Sequence, residues 1–529
     1  MSGGLNVTAL AVFCAFFLLV TVLGFFAANW RRGDLSQIGE WGLAGRRFGT
    51  LITWFLIGGD FYTAYTVIAV PAAVFGAGAA GFFALPYTIL VYPFVFLTMP
   101  RLWNVAKKHD FVTPADFVQG RYGNRTLALV IAITGILATL PYIALQLVGM
   151  QVVIGAMGVG GSGLARDLPL IIAFIILAAY TYTSGLRAPA MIAFVKDIMI
   201  YLTVIVAVIV IPMKLGGFGH IFSAAQAAFD ARPATAPKGA VILPPGGAWA
   251  FSTLALGSAL AAFLYPHTIT SVLASAKGNV VRRNAALLPA YTFLLGLIAL
   301  LGFMAIAAGI KPSTPSMAIP ALFLAMFPSW FVGFAFAAIA ISALVPAAIM
   351  SIAAANLWTR NIYKAYLNPG ATPQQESRHA KNVSLLVKIF ALGFIVFLPT
   401  QYAINLQLLG GVWILQTFPT VICGLYTRWF HHTALTIGWL IAMALGTFAA
   451  FARGLTALYP LHLGGFSAVA YIAVEALVVN LVVAAILTPV FDRAGIKRGR
   501  DVTAADHYED PPAPGTVIPT TPLGEPAAV

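Results

Sequence analysis

The amino-acid sequence predicts an all-α protein that crosses a membrane many times. The chain of 529 residues is 60% hydrophobic and only 9% charged, and its mean hydropathy is +0.91. Soluble proteins are about 25% charged and about 45–50% apolar, so these values exclude an ordinary soluble protein. The apolar stretches are continuous rather than alternating, which excludes a membrane β-barrel and favours helices of about 20 residues.

About thirteen apolar windows have a length that fits a membrane-spanning helix. They fall at 6–28, 48–76, 80–100, 127–158, 168–184, 188–213, 248–275, 285–309, 329–363, 384–400, 403–425, 433–452 and 467–492. The first window follows a start without the basic segment of a cleavable signal peptide, so we predict that it is the first membrane helix.

Basic residues are unevenly divided between the two sets of loops. With the N-terminus outside, roughly 22 basic residues fall in the cytoplasmic loops and tail and roughly 6 on the other side. The positive-inside rule therefore predicts that the N-terminus lies outside and the C-terminus inside. This topology accounts for the net charge of +14, so we expect no nucleic-acid partner. Cys14 and Cys423 stand alone in apolar runs and predict neither a disulfide nor a metal centre.

Two predicted spans contain helix breakers near the middle of the membrane. In the second span Gly58 and Gly59 precede Asp60, and in the seventh Pro266 precedes His267. A broken helix frees backbone groups that lipid cannot satisfy, so such breaks persist only beside protein or a polar cavity. Breaks at corresponding places in two halves of a bundle predict a binding site between them.

Few ionisable residues lie inside the predicted spans, where a charged side chain costs about 2.5–3.5 kcal/mol on insertion scales. They are Asp60, Lys196, Asp197, His267, Lys388 and Glu475. We interpret Asp60 as functional because it follows two glycines. Lys196 and Asp197 fit either a structural pair or an ion pathway. We expect Lys388 to extend towards the membrane surface, and Glu475 to serve packing or an interface.

Six sequence motifs occur in a fixed order along most of the chain. They are GLAGRRFG at 42–49, TAYTVIAVP at 63–71, TPADFVQGRYGNR at 113–125, TSGLRAP at 183–189, YPHTITSVLASAK at 265–277 and GLYTRW at 424–429. In this order they resemble the motifs of the sodium:solute symporter family, especially its monocarboxylate transport permease branch, over approximately residues 35–450. The resemblance implies a LeuT-type fold with two inverted repeats of five helices, one extra helix before them and two after.

The resemblance divides the chain into six parts. We expect an extra membrane helix at 1–34, a first repeat at 35–213, an external loop at 214–247, a second repeat at 248–425, two extra helices at 426–492 and a cytoplasmic tail at 493–529. The tail is rich in proline and poor in apolar residues, which predicts disorder.

The resemblance also implies a cation site. In the family a sodium ion is held by backbone carbonyls of the first core helix and by carbonyl and hydroxyl oxygens of the eighth. The matching positions here are Gly59, Tyr62, Ser342 and Val345. Pro346 stands where the family has a hydroxyl residue, which removes one ligand. Two coupling ions therefore remain open, namely sodium with substitute oxygens or a proton carried by Asp60, and we favour the proton.

The monocarboxylate branch implies a small acid such as lactate, pyruvate, acetate or propionate, with alanine as a further candidate. A short carboxylate needs hydrogen-bond donors at its charged end and an apolar pocket for its tail. Candidate substrate-binding residues around the two breaks are Tyr62, Thr63, Thr66, Tyr265, His267, Thr268 and Thr270. Ser271 replaces the family arginine, so we expect no bidentate arginine clamp on that helix.

We therefore predict a secondary active transporter of the plasma membrane that imports these acids with a cation by alternating access, without a cofactor. The alternative within this class is a sodium-coupled symporter for pantothenate, proline or a sugar. A channel or a membrane sensor is the alternative from a different class, although neither rings of charge nor a signalling domain is visible. An enzyme is not supported, because no nucleophile and base form a constellation.

Overall fold

The computed structural model describes residues 4–30, 33–159, 164–233, 239–397 and 403–510. Within these ranges the chain is mostly helical, which confirms the predicted all-α class. Residues 234–238 of the predicted external loop and residues 511–529 of the predicted tail lie outside the described residues. The orientation in the membrane and the six domain boundaries stay predictions.

The helices follow one another along the chain with few other elements. The first part contains α1 (Val7–Phe26), α2 (Ile38–Leu43), α3 (Thr50–Phe61), α4 (Val70–Ala77), α5 (Ala84–Lys108), α6 (Pro114–Tyr122), α7 (Arg125–Ala156), α8 (Leu164–Ser184), α9 (Arg187–Lys214) and α10 (Phe218–Asp230). The second part contains α11 (Ala248–Ala262), α12 (Pro266–Leu273), α13 (Gly278–Leu287), α14 (Pro289–Ala307), α15 (Ala318–Met326), α16 (Ser329–Trp358), α17 (Pro373–Phe397), α18 (Ala403–Ile414) and α19 (Phe418–Val421). The chain then forms α20 (His432–Ala452), the strands β1 (Leu458–Leu463) and β2 (Phe466–Tyr471), and α21 (Ile472–Arg493).

Eleven segments of the described chain could cross a membrane. Nine are continuous helical segments of sufficient length and hydropathy, one of which, Gly278–Ala307, contains both α13 and α14. Two are bent pairs, one containing α3 and α4 and the other containing α11 and α12. The sequence windows predicted about thirteen spans. Of the others, window 168–184 is a shorter apolar helix, and window 384–400 extends past residue 397, beyond the described range.

The last predicted span begins later than its apolar window. Residues 467–471 belong to β2, which pairs with β1 in an antiparallel hairpin, and the helix starts only at Ile472. The hairpin turn is made by Gly464 and Gly465, and Gly464 has a φ of +58° that favours glycine. Hydropathy alone could not separate an apolar strand from the helix that follows it.

Helix α16 lies at the centre of the bundle. It packs against α1, α7 and α9, and 94% of its most apolar window is buried. Its sequence is rich in alanine and contains Gly333, and such small residues allow neighbouring helices to approach closely. At Gly333 a Cβ atom would overlap the backbone of Ala9 on α1. The small residues of α16 therefore set how tightly the surrounding helices assemble.

The first part of the predicted disordered tail is ordered. Residues 499–510, here named the tail strap, cross the ends of α5, α6 and α13. Arg121 on α6 donates to Asp501 at 2.5 Å, and Arg282 on α13 forms an ion pair with Asp510. The proline-rich composition predicted disorder, but the acidic residues of the strap meet arginines that lie far away in the sequence.

A histidine pair also holds the tail strap. Nε2 of His109, which follows α5, lies 2.8 Å from Nδ1 of His507. Burial, and then the nearby His507 ring, lower the pKa of His109 below the ordinary histidine value. Burial therefore favours the neutral ring of His109. Its Nε2 donates to Nδ1 of His507, because that nitrogen also accepts from the backbone N–H of Ala504.

Removing the tail strap should destabilise the protein. A chain ending at residue 498 loses the ion pairs of Asp501 and Asp510, which are partly exposed and therefore modest in energy. We expect its unfolding temperature in detergent to fall by about 1–4 °C, whereas a control chain ending at residue 510 should match the full chain. Equal unfolding temperatures for both truncations would contradict the assigned contacts.

Candidate functional site

Two bent helices meet near the middle of the bundle. Helix α3 and the helical segment Tyr65–Ala77, which ends with α4, are separated by a short break and bent by 46°. Helices α11 and α12 are bent by 47°. The second break confirms the sequence prediction, because Pro266 is the first residue of α12 and Tyr265 precedes it in extended conformation. Proline is well suited to the first turn of a helix, where no donor is needed.

The first break lies after the two glycines rather than at them. Gly58 and Gly59 remain inside α3, which ends at Phe61, and Tyr62 leaves the helical conformation. The prediction that the helix unwinds at the glycines is therefore wrong by about one turn. Their role is steric, since a Cβ atom at Gly58 would overlap the ring of Tyr291 on α14.

Side chains from neighbouring segments satisfy the backbone groups that the breaks release. Oε1 of Gln146 on α7 accepts from the backbone N–H of Ala64 at 3.0 Å. At the second break, the hydroxyl of Thr268 donates to the carbonyl of Ala262 at 2.8 Å. Both polar side chains are buried. The interruptions are thus stabilised by protein rather than by solvent, as a membrane interior requires.

A hydrogen bond joins the two bent helices. The hydroxyl of Ser271 on α12 donates to Oδ2 of Asp60 on α3 at 3.3 Å, and both side chains are buried. This contact confirms that the two broken helices face one another. The other carboxylate oxygen, Oδ1 of Asp60, is buried and has no hydrogen-bond partner among the described residues. The carboxyl group therefore retains bonding capacity towards a ligand.

The seven predicted substrate-binding side chains are all buried around the breaks, but several hydroxyls already have partners. Tyr62 donates to the carbonyl of Tyr291 and Tyr265 to the carbonyl of Gln407, both at 3.0 Å. Thr66 donates to the carbonyl at the end of α3. These hydroxyls tie helices together and are less available to a ligand than the sequence suggested.

His267 is the predicted residue with most freedom to bind. Its Nδ1 is buried and has no hydrogen-bond partner in the described part of the chain. The imidazole ring lies 5.4 Å from the ring of Tyr142 and 5.4 Å from the ring of Tyr265, measured between centroids. The ring is thus held by aromatic contacts while Nδ1 can donate to or accept from a small molecule.

Sequence reasoning missed two further members of the site. Tyr65, next to the first break, has a buried hydroxyl without a partner within the described ranges. Tyr142 on α7 lies at the second break, with its ring centroid 5.3 Å from that of Tyr265 and 5.4 Å from that of His267. A signal was present in the sequence, because Tyr142 and Gln146 lie one turn apart in an otherwise apolar span.

Lys196 and Asp197 form a buried ion pair on α9, with Nζ 3.1 Å from Oδ1. The ammonium also donates to the carbonyl of Gly59 at 2.5 Å and to that of Tyr62 at 3.1 Å. The second carboxylate oxygen of Asp197 accepts from the Tyr291 hydroxyl at 2.7 Å. The pair is therefore attached directly to the end of α3 at the first break.

The predicted cation ligands on α16 are arranged as in an ordinary helix. The hydroxyl of Ser342 donates to the carbonyl of Ala338 at 2.7 Å, and Val345 is buried beside it in the chain. Pro346 lies inside a helix that continues to Trp358. Proline removes the donor that the Ser342 carbonyl would otherwise receive, so this carbonyl keeps a free acceptor site within the helix.

Lys388 and Glu475 lie away from the two breaks. Contrary to the expectation that it extends to the membrane surface, Lys388 on α17 is buried and donates to the hydroxyl of Ser384 at 2.9 Å. Ser384 lies one turn before Lys388 on the same helix, so the ammonium group has a hydrogen-bond partner without extending to the membrane surface. Glu475 stands in the first turn of α21, where a carboxylate complements the helix dipole.

A cavity of about 270 Å³ lies between the bent helices and the β-hairpin. Its lining comes from α4, α11, α18 and the start of the hairpin, and includes Ala73, Leu254, Asn405, Leu408 and Leu458. Leu408 follows Gln407, whose carbonyl accepts from Tyr265 at the second break. The cavity therefore lies one residue along α18 from the contact that anchors Tyr265.

Comparison with known proteins places the chain among transporters. A family model described as the sodium:solute symporter family matches residues 41–432. The chain is 56% identical over 488 residues to a monocarboxylate transport permease protein of Rhizobium johnstonii, which covers 92% of this chain and 98% of the relative. It is also 34% identical over 444 residues to YodF, an uncharacterized symporter of Bacillus subtilis, covering 83% of this chain and 87% of the relative.

A solved structure is similar in fold. It is the substrate-bound outward-open state of a Na⁺-coupled sialic acid symporter, with a TM-score of 0.70 over 93% of this chain and 99% of that chain. The sequences are only 14% identical, so this likeness concerns the fold alone. It supports the LeuT-type arrangement that the sequence motifs implied.

Replacing Gly58 tests the packing that supports the first break. Gly58→Ala places a methyl group against the Tyr291 ring, which is anchored to Asp197 and cannot move away freely. We expect a loss of about 1–3 kcal/mol in stability, seen as a lower unfolding temperature of the purified protein. Gly76→Ala on α4 is the control, because nothing lies within 4 Å of the added atom. Equal behaviour of the two variants would argue against this close contact.

Proposed function

This chain belongs to the sodium:solute symporter family, and from that premise we propose that it imports short-chain monocarboxylates together with a cation. Family membership makes it a multi-pass membrane protein and a cation:solute symporter rather than an enzyme. The observation that carries the proposed substrate class is the 56% identity, over 92% of the chain, to a protein named as a monocarboxylate transport permease. Lactate, pyruvate, acetate and propionate are the proposed substrates, with alanine as a further candidate.

The site between the breaks suits a small acid. Tyr65 and His267 offer buried polar atoms without partners within the described ranges, and these can donate to a carboxylate. The rings of Phe61 and Phe263, one from each break, lie 6.1 Å apart between centroids and supply an apolar surface for a short tail. A buried donor at one end and apolar walls at the other are the requirements of a short monocarboxylate.

Transport would proceed by alternating access around this site. The breaks are the places where the half-helices can tilt without disrupting a continuous helix. The coupling ion is a proton or a sodium ion, and the number of ions decides what drives uptake. One cation with one carboxylate anion is electrically neutral, whereas each net charge moved gains about 2.3 kcal/mol per 100 mV of membrane potential.

Labelled lactate in proteoliposomes tests the proposed function. We expect pyruvate, acetate and propionate to compete with lactate, while proline, pantothenate and glucose do not, because the free donors and the aromatic rings of the site suit a short acid. Preloaded unlabelled lactate should accelerate entry of the label, since a carrier exchanges its substrate and a channel does not. Strong competition by proline, pantothenate or glucose would favour the alternative symporters, and no acceleration would favour a channel.

Removing the Tyr65 hydroxyl tests its role in binding the carboxylate. Tyr65→Phe should weaken the apparent affinity for lactate about tenfold, since one hydrogen bond to a charged group is lost. The matched control is Tyr180→Phe on α8, because its hydroxyl is also buried and without a partner within the described ranges but lies beside α1. If both variants have the same affinity as the wild type, Tyr65 does not contact the substrate.

A further inference from the structure

The ammonium group of Lys196 is surrounded by three oxygen atoms at the first helix break. These are the carbonyl oxygens of Gly59 at 2.5 Å and Tyr62 at 3.1 Å and Oδ1 of Asp197 at 3.1 Å. Lys196 and Asp197 are both fully buried. A buried charge is stable only when it is paired, and here two donors of the ammonium group reach carbonyl oxygens while the Asp197 carboxylate supplies the opposite charge.

The end of α3 makes these carbonyls suitable for a cation. Helix α3 ends at Phe61, and Tyr62 has a φ of −90° and a ψ of 81°. The last carbonyls of a helix lack helical donors and lie at the negative end of its dipole. A positive charge is therefore favoured at this position, whether it belongs to a metal ion or to a side chain.

Glycine at position 59 allows the lysine to approach. A Cβ atom there would lie 3.0 Å from Nζ of Lys196 and 3.4 Å from Oδ2 of Asp197. The carboxylate of Asp197 is fixed in turn by the Tyr291 hydroxyl at 2.7 Å. The ammonium is thus held in place by helices α3 and α9 and, through Asp197, by α14.

The residues at this position do not fit a sodium ion. The carbonyls of Gly59 and Tyr62 are the first two ligands that the family resemblance implies for sodium, and both accept from Lys196. A second cation at the same oxygens would be repelled by the ammonium and would have to displace it. On α16, the Ser342 hydroxyl donates back to Ala338 and Pro346 has no hydroxyl, so the Ser342 carbonyl is the one family ligand position there with a free acceptor in the described chain.

We propose that Lys196 is a tethered cation that takes the place of sodium at the first helix break, so that substrate binding and transport need no sodium ion. The lactate counterflow test of this inference rests on the proposed function, whereas the test by unfolding temperature in sodium does not. Replacing the lysine would leave the carbonyls of Gly59 and Tyr62 together with the carboxylate of Asp197. Such a set of oxygen ligands suits a hard cation, so the variant should acquire a sodium site.

Sodium dependence of the wild-type protein is the first test. In proteoliposomes, lactate counterflow without an ion gradient should change less than about twofold when about 100 mM choline is replaced by sodium. The unfolding temperature of the purified protein should likewise be the same in both salts. A saturable increase of either quantity with sodium would overturn the proposal, and neither measurement needs a variant.

The Lys196→Ala variant supplies the second test. Its counterflow should be low in choline or potassium and should rise at least about fivefold in sodium, with a sodium-specific increase in unfolding temperature. Lys388→Ala is the matched control, because it removes a buried lysine on α17 that donates to Ser384 instead of the helix break. This control should show no response to sodium.

The outcomes separate this inference from the proposed function. The inference would be overturned if the Lys196→Ala protein folds but its unfolding temperature does not change with sodium. It would also be overturned if Lys388→Ala responds to sodium as strongly as Lys196→Ala. If Lys196→Ala does not fold, the same measurements are made on Lys196→Gln, which keeps a neutral donor. The sodium dependence of the wild-type protein tests the inference without any variant. If lactate shows no counterflow under any condition, the proposed function fails, while the sodium-dependent unfolding temperature still decides whether Lys196 replaces sodium.

Discussion

Backbone groups released inside a membrane must find partners within the protein, and the structure depends on this constraint. Each of the two breaks is flanked by a polar side chain that supplies such a partner. Gln146 accepts from the first break, Thr268 donates at the second, and Lys196 donates to two carbonyls at the end of α3. The interrupted helices are therefore stabilised by buried side chains of this protein.

The same constraint underlies the proposal that the protein needs no sodium ion, because the carbonyls at the first break require a partner. In the proposed arrangement the Lys196 ammonium occupies the position that the family resemblance assigns to sodium, and it donates to the carbonyls of Gly59 and Tyr62. The pair of Lys196 and Asp197 carries no net charge, and Tyr291 orients its carboxylate. The carbonyls at the first break thus have hydrogen-bond donors before any ion binds. Asp60 is a separate carboxyl group that faces α12.

The sequence predicted the membrane class, the family and the meeting of two broken helices, because these follow from hydropathy, motif order and proline. It misplaced the first break, since the glycines at 58 and 59 serve contacts with Tyr291 and Lys196, which lie far away in the chain. It could not reveal which hydroxyls already had partners, because those partners are mostly backbone carbonyls. The ordered strap was missed for a similar reason, as its arginine partners come from α6 and α13.

The tail strap has a practical consequence for labelling. Residues 499–510 lie against the bundle through Asp501, Asp510 and a backbone hydrogen bond from Val502 to Gly120. A fluorescent reporter or purification handle inserted between residues 498 and 511 would compete for that surface and disturb α6. The same attachment placed beyond residue 510 leaves these contacts intact, which makes that position the better one for imaging or immobilisation.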